Sequence, residues 1–288
     1  MTNLTFKVDV KEYEEKWDNS VTVLTVFFDK KKNLVLDDRQ LEASGLDKKD
    51  IKKLADYHGF KGNVGQVKLV SSPYSSNAND KKRKLYLLGL GDLSKATVST
   101  MEKAGDKAWD ALKGLGEKTV SVVLPLSKDG ANSEVKQTEF FEAFIHAFAL
   151  KSYDFDVYKS KKDDKESDAD AKLESVTFIG SDKKTLKALS SEAVAVIGGV
   201  FATRDFCNEP PNELRPHLYA KAIKALFKGT NVKVTVLGEK KLKDLKANLF
   251  LSVGQASDSE SHAVILEYNG LKKKSTQKQP IAFVGKGV

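Results

Sequence analysis

Histidines are the first side chains to consider for acid–base catalysis or metal binding, and this sequence has only four of them. They are scattered, with neither the close spacing of a zinc site nor a place in a Ser-His-Asp pattern. We interpret the one in the aromatic segment 140–148 as a packing or surface residue and not as a ligand. The four are His58, His146, His217 and His262.

The single cysteine, Cys207, cannot form an internal disulfide, and this favours a cytoplasmic location. It lies at the end of an apolar helical segment and has no histidine nearby in the sequence that would activate it. We therefore expect a buried structural thiol and not a nucleophile.

Lys286 stands between Gly285 and Gly287 at the end of an apolar segment, IAFVGKGV, which predicts a strand over 281–284. A lysine at a strand end is ordinarily a solvated surface group.

The glycines of this sequence give only a weak signal for a nucleotide-binding loop. Gly89 and Gly91 end a predicted buried strand and form a fragment of a dinucleotide-binding fingerprint. We interpret them as a tight turn from strand to helix. No glycine-rich loop that ends in Lys-Ser or Lys-Thr occurs in the sequence, so a P-loop is excluded.

Strands and helices alternate over the first 180 residues, which is typical of an α/β domain. The order strand–helix–strand over 83–126 predicts a parallel pair with a right-handed crossover. Apolar periodicity predicts strands over 4–9, 21–28, 83–92, 119–126 and 175–180, and helices over 48–57, 97–115 and 138–150.

Three prolines, Pro210, Pro211 and Pro216, end a long helix predicted over 183–206 and begin a new unit. This division predicts an N-terminal α/β domain over 1–180, a connecting helix over 181–206 and a second domain over 207–288. In the second domain the sequence predicts helices over 217–228 and 239–245 and strands over 231–237 and 263–268. The connecting helix should bury a stripe that consists of Leu189, Ala193, Ile197 and Val200.

The net charge of +8 and the isoelectric point near 9.1 would suit a nucleic-acid partner. Lysines are nevertheless mixed with acidic residues over most of the chain, and the purely basic runs at 81–84 and 272–274 are short. We therefore expect a solvated surface. No apolar run reaches the roughly 18 residues of a membrane span, so no membrane contact is expected. The first residues show no signal-peptide pattern.

Three segments resemble the leucyl aminopeptidase family, the M17 cytosol aminopeptidases. The segment 203–216, TRDFCNEPPNELRP, is similar to the family's joint between domains, and 153–159 is similar to its Tyr-x-Phe-x-x-Tyr-Lys segment. The most specific match is GKGV at 285–288. The resemblance covers the whole chain, but only the N-terminal domain and about the first third of the family's catalytic domain. In the joint the matching residues are Arg204, Asp205, Asn208, Pro210, Asn212 and Pro216.

The resemblance implies an α/β fold: an N-terminal mixed sheet flanked by helices, a connecting helix, and the beginning of a second α/β domain. It implies an aminopeptidase that removes N-terminal residues, leucine among them, from peptide substrates. The family uses two divalent metal ions, manganese or zinc, together with a bicarbonate ion. A metal-bound hydroxide attacks the scissile carbonyl.

The lysine that matches Lys286 ligates one of these ions in the family. The family's remaining ligands and catalytic residues follow the position of Val288, so we expect no catalytic residue within 1–288. We also expect this 288-residue chain to be inactive alone. The resemblance further implies a homohexamer whose contacts involve the catalytic domains.

Two other functions stay open at this stage. The chain could be a non-catalytic binding module for DNA or a protein, or an inactive structural relative. A coding sequence that continues with Thr-Phe-Asp-x-Gly-Gly after Val288 would favour the enzyme over the inactive relative. Salt-dependent DNA binding would favour the binding module.

Overall fold

The structure is a computed structural model that describes residues 7–12, 20–70, 84–125, 137–160, 173–180, 183–271 and 279–287. The chain divides between Cys207 and Asn208 into two compact units, here called unit 1 and unit 2. Among the described residues, unit 1 contains a seven-stranded sheet and unit 2 a two-stranded sheet.

The sheet of unit 1 is mixed, which confirms the predicted fold class. Five strands run parallel in the spatial order β1-β7-β6-β2-β5, and two short strands pair antiparallel, β3 with β2 and β4 with β5. The strands are β1 (Lys7–Glu12), β2 (Val21–Phe28), β3 (Leu34–Val35), β4 (Val67–Leu69), β5 (Lys84–Asp92), β6 (Thr119–Val123) and β7 (Ser175–Gly180).

Helices cover both faces of this sheet, since β2 is buried over seven of its eight residues. The helices of unit 1 are α1 (Asp38–Ser44), α2 (Lys48–Tyr57), α3 (Val98–Lys113), α4 (Gln137–Lys151) and α5 (Lys183–Asn208). Val23 belongs to a hydrophobic cluster with α3 and α4, whereas Leu24 belongs to a second cluster with α1 and α2. A continuous apolar strand such as VTVLTVFF is typical of this three-layer arrangement.

The prediction that the strands at 83–92 and 119–126 form an adjacent pair is wrong. β5 and β6 are parallel, but β2 lies between them and pairs with both. Met101 and Ala104 of α3, the helix between these two strands, belong to the same core cluster as Val23 of β2. An interior position of the sheet shields an apolar strand such as β2 from water on both faces and at both edges.

Gly89 and Gly91 lie inside β5, so the predicted tight turn from strand to helix is wrong at these residues. The φ of Gly91, +85°, lies in the left-handed region, which favours glycine. The register between β2 and β5 shifts here, between Val26 and Phe27, as at a β-bulge. A Cβ on Gly89 would collide with the backbone of Gly62 and Asn63, so this glycine serves close backbone packing.

Helices α3 and α4 approach each other closely through Gly105, which is buried in α3. A Cβ at this position would lie far inside van der Waals contact with the carbonyl oxygen of Phe144 and 3.0 Å from the amide nitrogen of Phe148. Both contacts are backbone atoms of α4, which cannot rotate away. Around this point Trp109 meets Phe148 edge to face at 5.4 Å between ring centroids.

We expect Gly105→Ala to destabilise the chain although alanine is the better helix former. Overpacking should cost about 1–3 kcal/mol, against about 0.5–1 kcal/mol gained from helix propensity. Gly198→Ala in α5 is the matched control, because a Cβ there meets nothing within 4 Å. The control should raise the free energy of unfolding, measured by urea titration. A stabilising Gly105→Ala would show that the two helices are not in close contact.

The long helix α5 spans Lys183–Asn208, close to the predicted range. Ala193 and Ile197 are buried and Val200 is half-buried, as the predicted stripe requires. The side chain of Leu189, the fourth member of that stripe, lies outside the described residues. Phe201 extends the stripe by one turn and is 1% exposed.

Unit 2 combines an antiparallel pair of strands with three helices. Glu239 begins one helix and accepts a hydrogen bond from the Ser261 amide at 3.1 Å, which joins this helix to the segment before the last strand. This bond and the nearby Lys243 lower the pKa of Glu239. The elements are α6 (Pro216–Leu226), β8 (Val232–Leu237), α7 (Glu239–Asp244), α8 (Asn248–Gly254) and β9 (Ala263–Tyr268).

The predicted strand over 281–284 is not formed. These residues have no strand assignment, and Phe283 is 95% exposed. A strand persists only if its backbone groups find partners, and β8 and β9 pair only with each other among the residues that the structure describes. No helix in the described ranges is long and apolar enough to cross a membrane.

Candidate functional site

Two of the sequence motifs meet at the end of unit 1, where α4 and α5 converge. The hydroxyl of Tyr153 donates a hydrogen bond to Oδ1 of Asp205 at 3.1 Å. Nη1 of Arg204 donates to the carbonyl oxygen of Leu150 at 2.8 Å, and its guanidinium lies 5.3 Å from the Tyr153 ring centroid. The same ring packs at 5.1 Å against Phe201. We call Tyr153, Phe201, Arg204 and Asp205 the α4–α5 clamp.

The clamp is suited to holding the end of α5 in place and not to catalysis. Asp205 is only 4% exposed, and a buried carboxylate of this kind is stabilised by donors such as the Tyr153 hydroxyl. The Arg204 guanidinium contributes a hydrogen bond to Leu150 of α4 and a cation–π contact to Tyr153, which follows α4. The clamp therefore fixes the last turns of α5, next to Asn208, where unit 2 begins.

We expect Tyr153→Phe to lower the free energy of unfolding of unit 1 by about 1–2 kcal/mol, because it removes a hydrogen bond to a buried carboxylate. Tyr57→Phe is the control, since Tyr57 is 85% exposed and should change stability by less than about 0.5 kcal/mol. Urea titration of both variants checks this. Equal stability would show that the Asp205 hydrogen bond contributes nothing to the clamp.

A cleft of about 630 Å³ lies beside the clamp, between α3 and α4. Lys151 sits at its rim, 3.5 Å from Asp106 and 3.4 Å from Asp110, and these two carboxylates raise the pKa of Lys151, Asp106 most of all. The pairs are exposed, so solvent screens them and they contribute little stability. The lining residues are Glu102, Lys103, Asp106, Lys107, Ala147, Leu150, Lys151, Tyr153 and Arg204.

The prediction that Cys207 is a buried thiol is wrong, because the residue is exposed. The buried side of α5 runs through Ile197, Phe201 and Asp205. Cys207 follows Asp205 by two residues, which is about 200° around a helix, so it points away from that side. Apolar neighbours in the sequence predicted burial, but the direction around the helix decides it.

Three of the four histidines have surroundings of their own that the structure describes. His146 lies on α4 with its Nε2 atom out of solvent and without a hydrogen-bond partner among the described residues. His58 follows α2 and meets the Tyr57 ring edge to face at 5.1 Å. His262 has Nδ1 2.9 Å from the carbonyl oxygen of Glu260. Within the described ranges, no three His, Cys, Asp or Glu side chains are grouped to hold a metal ion.

The predicted metal ligand, Lys286, is exposed and lies in the segment 281–287, which has no regular structure. The next residue, Gly287, lies against α6, since a Cβ on it would be 3.2 Å from Cε1 of Tyr219. Among the described residues, no group of three or more His, Cys, Asp or Glu side chains could hold a metal ion, beside Lys286 or elsewhere. A single amine does not fit a two-ion site, which needs several anionic oxygens.

All three sequence motifs fall in regions of the chain that match models of known protein domains. A model described as "Cytosol aminopeptidase family, N-terminal domain" matches residues 23–162. A second, described as "Cytosol aminopeptidase family, catalytic domain", matches residues 201–288. The clamp residues Tyr153 and Arg204 fall one in each match, so two separately matched regions are in direct contact.

Relatives of similar sequence carry the same family name. A probable cytosol aminopeptidase of Brucella anthropi is 31% identical over 252 residues, which is 88% of this chain and 47% of the relative. One of Agrobacterium fabrum is 33% identical over 238 residues, 83% of this chain and 45% of the relative. The chain therefore spans about half the length of the curated relatives that it matches.

Solved structures show the same fold. A mutant of tomato leucine aminopeptidase superposes with a TM-score of 0.66 at 21% identity, over 96% of this chain and 53% of that protein. The bottromycin maturation enzyme BotP in complex with Mn gives a TM-score of 0.63 at 20% identity, over 88% of this chain and 46% of that protein. The α/β fold of these structures agrees with both family matches. The chain belongs to the cytosol aminopeptidase family.

Proposed function

We propose that this chain supplies the N-terminal domain and the first part of the catalytic domain of a metal-dependent leucyl aminopeptidase. The substrates would be peptides, from which the enzyme releases N-terminal residues. The observation that carries the proposal is the catalytic-domain match over residues 201–288, which reaches the Gly-Lys-Gly segment that holds Lys286. The family names of the relatives support it.

Within this chain we assign Lys286 as the one metal-ligand candidate. Its exposed position leaves the amine accessible to an ion held mainly by other groups. The described residues do not complete such a site, so hydrolysis would require ligands beyond this set. Manganese or zinc is the proposed metal, and the Mn complex of the structural neighbour BotP supports a divalent ion.

The clamp has a proposed supporting role, because it fixes the end of α5 from which the catalytic part of the chain starts. Assembly as a homohexamer and a cytoplasmic location are further parts of the proposal. They rest on the family assignment.

The test is leucine-amide hydrolysis in the presence of manganese or zinc. It compares the 288-residue chain with a chain extended at Val288 by the remaining catalytic-domain sequence of the Brucella anthropi relative. Metal-dependent turnover by the extended chain supports the proposal. An extended chain that folds and binds metal but hydrolyses no peptide or amide would refute it.

A further inference from the structure

The cleft beside the α4–α5 clamp lies wholly within unit 1, and the function proposed above makes no use of it. Its volume of about 630 Å³ is in the range of sites that bind small molecules. Such sites combine apolar lining with a few placed polar or charged groups that orient the ligand. The charges that line this cleft therefore indicate which ligand would fit.

The α3 side of the cleft carries a negative charge that no protein cation compensates. Glu102 and Asp106 are four residues apart on α3, so they lie on one side of the helix. Asp106 is paired with Lys151, at 3.5 Å, and Lys151 also pairs with Asp110 at 3.4 Å. Glu102 lines the cleft one turn earlier and is exposed, and it forms no ion pair in the described part of the chain. Its carboxylate is therefore available to a ligand.

The clamp side of the cleft carries a positive charge with unused hydrogen-bond donors. Nη1 of Arg204 donates to the carbonyl oxygen of Leu150 at 2.8 Å, and the guanidinium lies 5.3 Å from the Tyr153 ring centroid. Nε and Nη2 of Arg204 have no acceptor among the residues that the structure describes. A guanidinium held in this way can take a carboxylate through two parallel N–H groups. Lys103 also lines the cleft and adds a second positive charge.

Glu102 and Arg204 do not form an ion pair with each other, although both line the same cleft. Apolar groups complete the lining, namely the side chains of Ala147 and Leu150 and the ring of Tyr153. A molecule that carries an ammonium group, a carboxylate and an apolar side chain would complement all three parts of the lining. A concave surface also strengthens the field of its charged groups relative to a flat one.

We propose that this cleft is a binding site for a small zwitterion with an apolar side chain, either a free amino acid or a short peptide. Glu102 accepts hydrogen bonds from the ligand's ammonium group, and Arg204 donates to its carboxylate. The apolar side chain packs against Ala147 and Leu150. The site lies in unit 1, so the inference does not rest on the proposed hydrolytic function.

The experiment is calorimetric titration of the 288-residue chain with leucine and with leucyl-leucine, in the presence of a chelator that prevents metal-dependent hydrolysis. We expect saturable binding with a dissociation constant of about 1 mM or below for at least one of them. The tighter ligand tells whether an amino acid or a peptide is the better occupant. Leucinamide lacks the carboxylate and N-acetylleucine lacks the ammonium group. Each should bind at least about threefold more weakly than leucine, since each loses a charge-assisted hydrogen bond in a partly open site.

Glu102→Gln keeps the size of the side chain and removes its charge. It should weaken the binding of leucine at least about threefold and leave leucine and N-acetylleucine bound equally well. Glu192→Gln is the matched control, because Glu192 is an exposed residue of α5 that does not line the cleft. It should bind leucine as the parent does.

Arg204→Lys keeps the positive charge but loses the planar pair of donors, and it should also weaken the binding of leucine. Arg204 belongs to the clamp, so urea titration first establishes that this variant folds. If it does not fold, the comparison of leucine with leucinamide tests the carboxylate contact on the parent chain. Hydrogen–deuterium exchange gives the location, because a ligand on Arg204 should slow exchange of the amides in the last turns of α5.

The proposal is overturned if neither leucine nor leucyl-leucine gives saturable binding up to about 20 mM, well above the expected dissociation constant. It is also overturned if N-acetylleucine binds as well as leucine does to the parent, which would define a site for anions alone. Equal binding of leucine by Glu102→Gln and the parent would place the ligand elsewhere and would refute this site. None of these outcomes bears on whether an extended chain hydrolyses leucine amide.

Discussion

Leucine-amide hydrolysis is expected to be undetectable with the 288-residue chain, in manganese or in zinc, and to appear when the chain is extended through the family's remaining catalytic sequence. The reason lies in charge. Two divalent ions carry four positive charges, which anionic oxygens must largely offset. The described residues include no group of three or more His, Cys, Asp or Glu side chains that could hold a metal ion.

In the extended chain, Lys286→Ala should lower turnover by more than about 100-fold. Loss of a group that only orients a ligand costs 10–100-fold in metal sites, and loss of the ligand itself should cost more. Lys286→Arg should be as inactive as the alanine variant. An arginine keeps the positive charge but cannot lose its proton to ligate a metal.

Lys240→Ala is the matched control, since Lys240 is another exposed lysine of unit 2, on α7. It should retain full activity. Turnover and calorimetric manganese binding are measured on the same preparations. Chelator-sensitive hydrolysis by the 288-residue chain, or an active Lys286→Arg, would show that the metal site is built from other residues.

The sequence predicted most of unit 1 because its elements have strong local signals. The strand at 21–28 and the helix at 48–57 coincide with β2 and α2. The strand order could not be predicted in the same way. Nothing in the local pattern of 83–92 or 119–126 shows that β2 lies between them, because pairing depends on which apolar strand gains most from a central position.

The candidate site was less predictable. Arg204, Asp205 and Tyr153 could be singled out as motif residues, but their contact joins positions about 50 residues apart, and no local signal reveals it. The prediction that Cys207 is buried was wrong because the composition of a segment does not show which way a side chain points around a helix. The prediction of a strand over 281–284 was wrong because an apolar run forms a strand only where partner strands are available to it.

Removal of α5 is expected to lower the free energy of unfolding of unit 1. Residues 1–207 are expected to unfold cooperatively and to be more stable than residues 1–180, which lack α5. Ile197 and Phe201 of α5 are each 1% exposed and pack in one cluster with Ala149 of α4. Full burial of a large apolar side chain contributes about 1.5–3 kcal/mol, so the two together should contribute roughly 3–6 kcal/mol.

The clamp adds to this difference, because without α5 the Tyr153 ring and the Leu150 carbonyl oxygen lose Phe201, Arg204 and Asp205. Both fragments are expressed alone and unfolded in urea. Val194→Ser in the longer fragment is the control, since Val194 is 43% exposed and should change stability by less than about 0.5 kcal/mol. If 1–180 were as stable as 1–207, α5 would not belong to the core of unit 1. The boundary would then lie before Lys183, and α5 would depend on unit 2 for its burial.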